Sequence, residues 1–207
     1  MARARIGVIS DTHGALPDAA FRLFQGAWSS DELEGAIFRT ARVECAPDGG
    51  AVLSEEQADS VAPKACGLIL HAGDIGPQSV LDELGAIART VAVLGNNDHA
   101  LFMDSDGTVR PYASLTFEGV GIFMQHIPAE MEASLRGRGP LQPALVRTQP
   151  ALAVHGHTHV PRLEAHGRRV TLCPGSPARA RNGSGHAAAL VDVEDGRLVQ
   201  VSLVRLP

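Results

Sequence analysis

Ile6-Gly7-Val8-Ile9-Ser10-Asp11-Thr12-His13-Gly14 reads as a buried strand running straight into a turn. Its β-branched residues make the strand, and Asp11 and His13 fall at or just past the carboxyl end. Residues 17–24 follow with proline near the first turn and apolar residues at Ala20, Phe21, Leu23 and Phe24, the pattern of a helix. The same order then returns. Residues 65–71 form an apolar strand ending at Ala72-Gly73-Asp74, and helical spacing of Val80, Leu81, Leu84 and Ile87 follows within 78–88. Residues 90–94 make a third strand, ending at Gly95-Asn96-Asn97-Asp98.

Downstream, 113–117 and 121–124 are two strands joined at Glu118-Gly119, the second ending at Gln125-His126. Gly137, Gly139, Pro140 and Pro143 interrupt 129–147, giving a short helix, a loop and a second short helix. The apolar run Ala151-Leu152-Ala153-Val154 ends in His155-Gly156-His157-Thr158-His159, three histidines in five residues. Such a tract alone is only a compositional hint of metal binding. Residues 169–172 lead to Cys173-Pro174-Gly175-Ser176, and 187–193 with 198–206 form a hairpin across Glu194-Asp195-Gly196. Residues 26–63 are less regular, with acidic clusters; 36–45 and 51–53 pair across the Pro47-Asp48-Gly49-Gly50 turn signal.

The 207 residues suit one domain, 1–207, with a core of ordinary size. With 44% hydrophobic and 20% charged residues the chain is globular, and its apolar runs are too short to span a membrane. The basic start, Met1-Ala2-Arg3-Ala4-Arg5, lacks a signal-peptide core and cleavage site, so a cytoplasmic location is the default expectation. Cys45, Cys66 and Cys173 lack zinc-type spacing and read as small buried residues. A net charge of −5 argues against a broad basic face for duplex nucleic acid. No membrane partner is expected, and a homo-oligomer is compatible with the composition.

Five strands thus end in Asp11/His13, Asp74, Asn96, His126 and His157/His159. In layered α/β folds, ligands gather at carboxyl ends of strands, so these residues can converge. Imidazole nitrogens with carboxylate or amide oxygens, and no thiolate, suit Mn, Fe, Zn, Co or Ni better than calcium. Seven candidates exceed what one cation usually takes, which suggests two divalent metal ions with one carboxylate bridging them. Such a pair clamps the attacking and leaving oxygens of a displacement at phosphorus and lowers the pKa of a bridging water.

The motifs Asp11-Thr12-His13, Gly73-Asp74, Gly95-Asn96-Asn97-Asp98, His126 and Gly156-His157-Thr158-His159, in this order, resemble the calcineurin-like metallophosphoesterases. The branch most similar is that of the small bacterial and archaeal phosphodiesterases of the YfcE type; Cys173-Pro174-Gly175-Ser176 resembles its Asn-Pro-Gly-Ser element. The resemblance implies an α/β, four-layer β-sandwich flanked by helices. It implies that Asp11, His13 and His159 hold one metal, manganese being favoured, that Asn96, His126 and His157 hold the other, and that Asp74 bridges. The implied activity is phosphodiester hydrolysis by a hydroxide between the two metals, with Asn96 helping to stabilise developing charge. A phosphomonoesterase or nucleotidase is the alternative within enzymes, and a non-catalytic protein-interaction scaffold of the same fold lies outside them.

Three departures stand out. Asn97 occupies the place where the wider superfamily often has a proton-donating histidine, and His99 is a tentative substitute acid. Ile127 replaces a common glycine after His126. Asp11 and Asp74 are 74 − 11 = 63 residues apart, which places an insertion within about 27–61; a dimer contact or a surface decoration is favoured for it over a lid. Bland readings apply elsewhere. His155 is structural, His71 either orients a ligand or merely ends a strand, His166 and His186 are surface residues, and Arg179 and Arg181 either touch substrate phosphate or are solvated. Gly95 and Gly156 supply tight turns.

Overall fold

The computed structural model describes residues 3–98, 109–138 and 148–207. Its strands are β1 (Ala4–Ile9), β2 (Ile37–Cys45), β3 (Ala51–Ser54), β4 (Leu68–His71), β5 (Arg89–Val93), β6 (Val109–Arg110), β7 (Tyr112–Phe117), β8 (Val120–Gln125), β9 (Leu152–Val154), β10 (Arg162–His166), β11 (Arg169–Cys173), β12 (Ala187–Glu194) and β13 (Arg197–Arg205). The helices are α1 (Asp18–Gln25), α2 (Ser30–Ala36), α3 (Ser79–Gly85) and α4 (Pro128–Leu135). An eight-stranded sheet runs β3-β2-β13-β12-β1-β4-β5-β6, and a five-stranded sheet runs β10-β11-β9-β8-β7.

Strand alternation builds the layers. Ile6 and Val8 of β1, Leu68 and Leu70 of β4, and Ile122 and Met124 of β8 point between the sheets, where they join Leu152, Val154, Leu172, Val191 and Leu203. The intervening residues face outward. Ile9 and Ile69 pack under Leu23 and Phe24 of α1 and Val80, Leu81 and Leu84 of α3. Phe123 and Ala153 pack against Met131 of α4 on the opposite side. The result is helices, sheet, sheet, helix: the expected four-layer sandwich. Because the central strands β1, β4, β8 and β12 are covered on both faces, the pattern read as β-α alternation is only one side of it.

Two of the three hairpins read from the sequence form on two-residue turns with positive φ, Glu118-Gly119 (46° and 81°) and Asp195-Gly196 (49° and 76°), the geometry that matches strand twist. Elsewhere the structure adds elements. α2 lies in the stretch taken as irregular; Ser29 caps it, accepting from the Glu32 N–H while Glu32 accepts from the Ser29 N–H, so the acidic cluster is a capping box. β10 and the two-residue β6 were also unread. Cys45 is exposed, against the expectation of burial, because it ends the outer hairpin; Cys66 and Cys173 are buried. The second short helix expected within 129–147 lies largely outside the described residues.

The stretch expected to hold an insertion, about 27–61, contributes two strands to the sheet. β2 pairs with β13 and then with β3, and the hairpin reaches across to the second sheet: the Arg39 guanidinium donates to the Leu163 carbonyl at 2.9 Å, and the Ala51 N–H to the Gly167 carbonyl at 2.6 Å. It closes the sandwich edge farthest from the carboxyl ends of β4 and β5.

Deep in the sheet, Arg5 of β1 lies opposite Asp192 of β12 and meets it through two bonds of 2.8 and 2.9 Å; its third nitrogen donates to the Ala62 carbonyl. Both side chains are only 4% exposed, so removing one leaves a buried charge unpaired. Asp192→Ala is expected to lose about 3–5 kcal/mol of stability, read as a lowered midpoint in urea unfolding; a midpoint within error of the parent contradicts this.

Candidate metal centre

β1, β4 and β5 are parallel neighbours, as are β8 and β9 in the facing sheet, so five carboxyl ends open on one edge of the sandwich. Past those ends the backbone stays paired. The Asp11 N–H donates to the Gly73 carbonyl (2.9 Å), the His13 N–H to the Asp74 carbonyl (2.9 Å) and the Gly14 N–H to the Ile75 carbonyl (2.8 Å). Asp11, His13, Asp74, His157 and His159 all have positive φ, between 47° and 69°. A non-glycine residue in that region costs about 1–3 kcal/mol and concentrates at functional sites. Five such residues converging on one place aim side chains that an ordinary turn would direct elsewhere.

Asp11, His13, Asp74 and His159 each present a ligand atom within 4.8 Å of one another. His13 Nε2 and His159 Nε2 are 3.4 Å apart; two nitrogens on one tetrahedral cation at about 2.0–2.1 Å would be separated by about 3.4 Å. Asp11 Oδ1 lies 3.2 Å from His159 Nε2. Beside this group, Asn96 Oδ1 lies 2.8 Å from His157 Nδ1 and 3.2 Å from His126 Nε2. Asp74 stands between, its Oδ2 3.7 Å from His13 Nε2 and its Oδ1 3.5 Å from His126 Nε2. The seven candidates from the sequence are therefore all brought together. His99 lies outside the described residues.

Hydrogen bonds behind the cluster select tautomers. His126 Nδ1 donates to the Ala72 carbonyl at 2.7 Å, and His159 Nδ1 donates to the Arg179 carbonyl. Each leaves Nε2 with a lone pair facing the cluster, as metal-binding imidazoles require. His71 works one layer deeper. The Thr12 hydroxyl donates to the Ile75 carbonyl, so it accepts from His71 Nε2 at 2.9 Å, while His71 Nδ1 accepts from the Gly73 N–H. Burial pushes the His71 pKa down to about 3, so it stays neutral and keeps both bonds. His155 is also buried and lowered, its Nδ1 bonded to the Gly156 carbonyl behind the cluster. His166 and His186 are exposed.

Charge is distributed unevenly. Burial raises the Asp11 carboxyl. Burial also pushes Asp74 upward, but bonds from His126 and from the Asn97 N–H (2.9 Å) and amide (2.6 Å) outweigh it and hold this carboxyl below the usual range. Burial depresses His126 as well, yet Asp74 and the Ala72 carbonyl overcome it and raise the imidazole. His13 is lowered by burial.

Two residues whose roles the sequence reading left unassigned organise the loops. Asp98 accepts from the N–H groups of Ile75 (2.8 Å) and Gly76 (3.1 Å) on Oδ1 and of Gly95 (2.8 Å) on Oδ2, tying the loop after β4 to the loop after β5. Ser176 donates to the Asp11 carbonyl at 2.7 Å, and Ser10 to the Gly175 carbonyl at 2.8 Å, fixing the loop after β11 to the same site. A carboxylate closing the Asn96-Asn97-Asp98 turn was the available signal for Asp98, since short acids bond nearby backbone N–H groups.

The chain matches a family model described as a calcineurin-like phosphoesterase superfamily domain over residues 52–196. That span takes in Asp74, Asn96, His126, His157 and His159, and starts after Asp11 and His13. No curated protein matches by sequence. Among solved structures, an archaeal phosphodiesterase is 17% identical with TM-score 0.61, covering 96% of this chain and 99% of its own. A predicted phosphoesterase from Streptococcus pneumoniae is 19% identical, TM-score 0.55, covering 100% and 94%. Vps29 of Entamoeba histolytica, solved with zinc, is 17% identical, TM-score 0.57, covering 98% of each chain.

Gly95 tests the spacing of these loops without deleting a ligand-type atom. A Cβ there would run into Asp74 Oδ1 and the Asp74 backbone nitrogen. Gly95→Ala is expected to destabilise the fold by about 1–3 kcal/mol and to weaken Mn²⁺ uptake in calorimetry, and parental affinity would show that the close approach is immaterial.

Proposed function

The chain belongs to the calcineurin-like phosphoesterase superfamily, and on that premise we propose that it is a metal-dependent hydrolase of phosphate esters, phosphodiesters first. One observation carries the reading: the two oxygens of Asp74 face two separate ligand groups, His13 on one side and His126 on the other. Asp11, His13 and His159 would hold one divalent cation, Asn96, His126 and His157 a second, with Asp74 shared. Manganese is the favoured metal, and Fe, Zn, Ni or Co suit the same donors. When bound, such a pair supplies Lewis acidity at phosphorus and acidifies a shared water.

The chain's own residues do the rest. Asp11 and Asp74 offset part of the cationic charge and leave the site receptive to an anionic ester. The Nδ1 bonds of His126 and His159 hold both rings in the tautomer that binds. Asn97 now donates to both Asp74 oxygens; once a cation takes that carboxylate, the amide, which lines the open cleft, is free to donate to a phosphoryl oxygen. An amide cannot act as a general acid near neutral pH, so a site with asparagine here depends on the acidity of the leaving group. Esters of p-nitrophenol are expected to react much faster than alkyl esters.

Hydrolysis of bis(p-nitrophenyl) phosphate by Mn²⁺-loaded protein tests the reading. About two metals per chain, and a rate falling at least about 100-fold in Asp74→Asn, are expected. A monoester cleaved faster than the diester would favour a phosphomonoesterase. A scaffold of the same fold is the second reading, favoured by the Vps29 likeness; purified protein that binds no metal and cleaves neither ester would establish it.

Cation binding must also displace protons. Because His126 without a cation is held protonated to a higher pH than a free imidazole, the proton competes more strongly as pH falls. Mn²⁺ affinity is expected to decline below neutrality with proton release increasing, measured by calorimetry in two buffers of different ionisation enthalpy; release that does not vary between pH 6 and pH 8 contradicts this.

A further inference from the structure

The ligand cluster does not fill the space it opens on. A cleft of about 620 Å³ extends from His13 and His159 past Asn97 to Arg179 and Arg181. Among the described residues that line it, the one carboxylate, Asp98, has both oxygens committed to backbone N–H groups. Among the described residues neither guanidinium has an acidic partner, and both are exposed. In a chain of net charge −5 this is a local concentration of positive charge.

The backbone beneath these arginines is anchored to the site itself. The Arg179 N–H donates to Ser176 Oγ at 2.8 Å, and Ser176 Oγ donates in turn to the Asp11 carbonyl. The Arg179 carbonyl takes the Nδ1 proton of His159. The Ser184 N–H closes a turn onto the Arg181 carbonyl at 3.0 Å, and the Ser184 hydroxyl donates to the His159 carbonyl at 3.4 Å. Two unpaired guanidinium groups are thus held on a loop stitched to the ligand histidines, which distinguishes them from arginines of a free surface loop.

Charge balance indicates what they meet. Two divalent cations offset by Asp11 and Asp74 are brought to about neutrality by one attacking anion and one diester. Arg179 and Arg181 remain in surplus, on the His13 and His159 side of the cluster. Their forked donors match the paired oxygens of a phosphate or a carboxylate, and beside a phosphoester site the anion indicated is a phosphate.

We propose that Arg179 and Arg181 form a subsite for a second phosphate group, so that the preferred substrate is a diester carrying a further phosphate beside the scissile one, as in a nucleoside 3′,5′-bisphosphate ester. This rests on the phosphoesterase reading, and the test separates the two. The probes are thymidine 5′-(p-nitrophenyl phosphate) and its 3′-phosphorylated counterpart, which share scissile bond and leaving group and differ in one distal phosphate.

Mn²⁺-loaded protein is expected to prefer the 3′-phosphorylated ester by about tenfold or more in kcat/KM, through KM. Each of Arg179→Gln and Arg181→Gln is expected to cut that preference by about tenfold, with Arg181→Lys retaining part of it. Absence of a preference in the parent, or variants that slow both esters equally, overturns the subsite while leaving the phosphoesterase reading intact. Cleavage of neither ester overturns the phosphoesterase reading instead. Calorimetry of thymidine 3′,5′-bisphosphate against thymidine 5′-phosphate then decides the subsite alone: tighter binding of the bisphosphate that Arg179→Gln/Arg181→Gln abolishes supports it, and equal affinities overturn it.

Discussion

The site depends on a ladder of backbone hydrogen bonds that outlasts the sheet. β1 and β4 stop as regular strands at Ile9 and His71, yet Asp11, His13 and Gly14 continue to donate to Gly73, Asp74 and Ile75. Pairing of this kind leaves no freedom for either loop to relax, which is how Asp11, His13 and Asp74 are kept at positive φ. The cost of those conformations is met by hydrogen bonds that a relaxed turn would not make. Thr12 and His71 sit underneath as a buried, neutral pair joining the same two loops. Close backbone approach is possible only because glycine occupies the tightest points, with Gly95 against Asp74 and Gly156 against Asp11.

Much of this was legible from the sequence because strand ends are chemically conspicuous. An apolar run that stops at an acid, an amide or a histidine marks both the end of an element and the start of a site, and it did so at Asp11, Asp74, Asn96, His126 and His157. Sheet order was not legible in the same way. Nothing local in the 151–154 run says that it pairs in parallel with β8 and β11, since a buried parallel strand shows no alternation. β10 escaped notice because its residues, Arg162-Leu163-Glu164-Ala165-His166, are half exposed and polar at an edge. α2 was hidden by a polar composition whose meaning lies in its cap, where Ser29 and Glu32 exchange bonds.

The supporting residues were the least readable part of the site. Asp98 looks like one more polar residue in a turn; only the fold reveals that three N–H groups from two loops end on it. Its backbone partners also matter electrostatically, because a carboxylate saturated by N–H donors adds little competition for an anionic ligand. The histidines divide in the same fashion. His13, His126, His157 and His159 face one another, whereas His71 and His155 are buried behind them and lowered by burial. Spacing in the tract 155–159 could not separate these roles, since alternation places His155, His157 and His159 alike until the backbone turns at positive φ.

The insertion and the arginine loop illustrate opposite uses of surface. β2 and β3 add strands at the sheet edge remote from β5 and bond across to the second sheet, so their added length is absorbed by sandwich closure. The loop after β11 adds no regular structure, but its backbone is secured by Ser176 and His159, and among the described residues its guanidinium groups have no acidic partner. Holding the backbone while leaving the charges unmatched lowers the ordering cost of binding an anion and keeps the full electrostatic gain for the ligand. Selectivity in this fold can therefore change by altering a few residues on that loop while the ligand-bearing strand ends stay as they are.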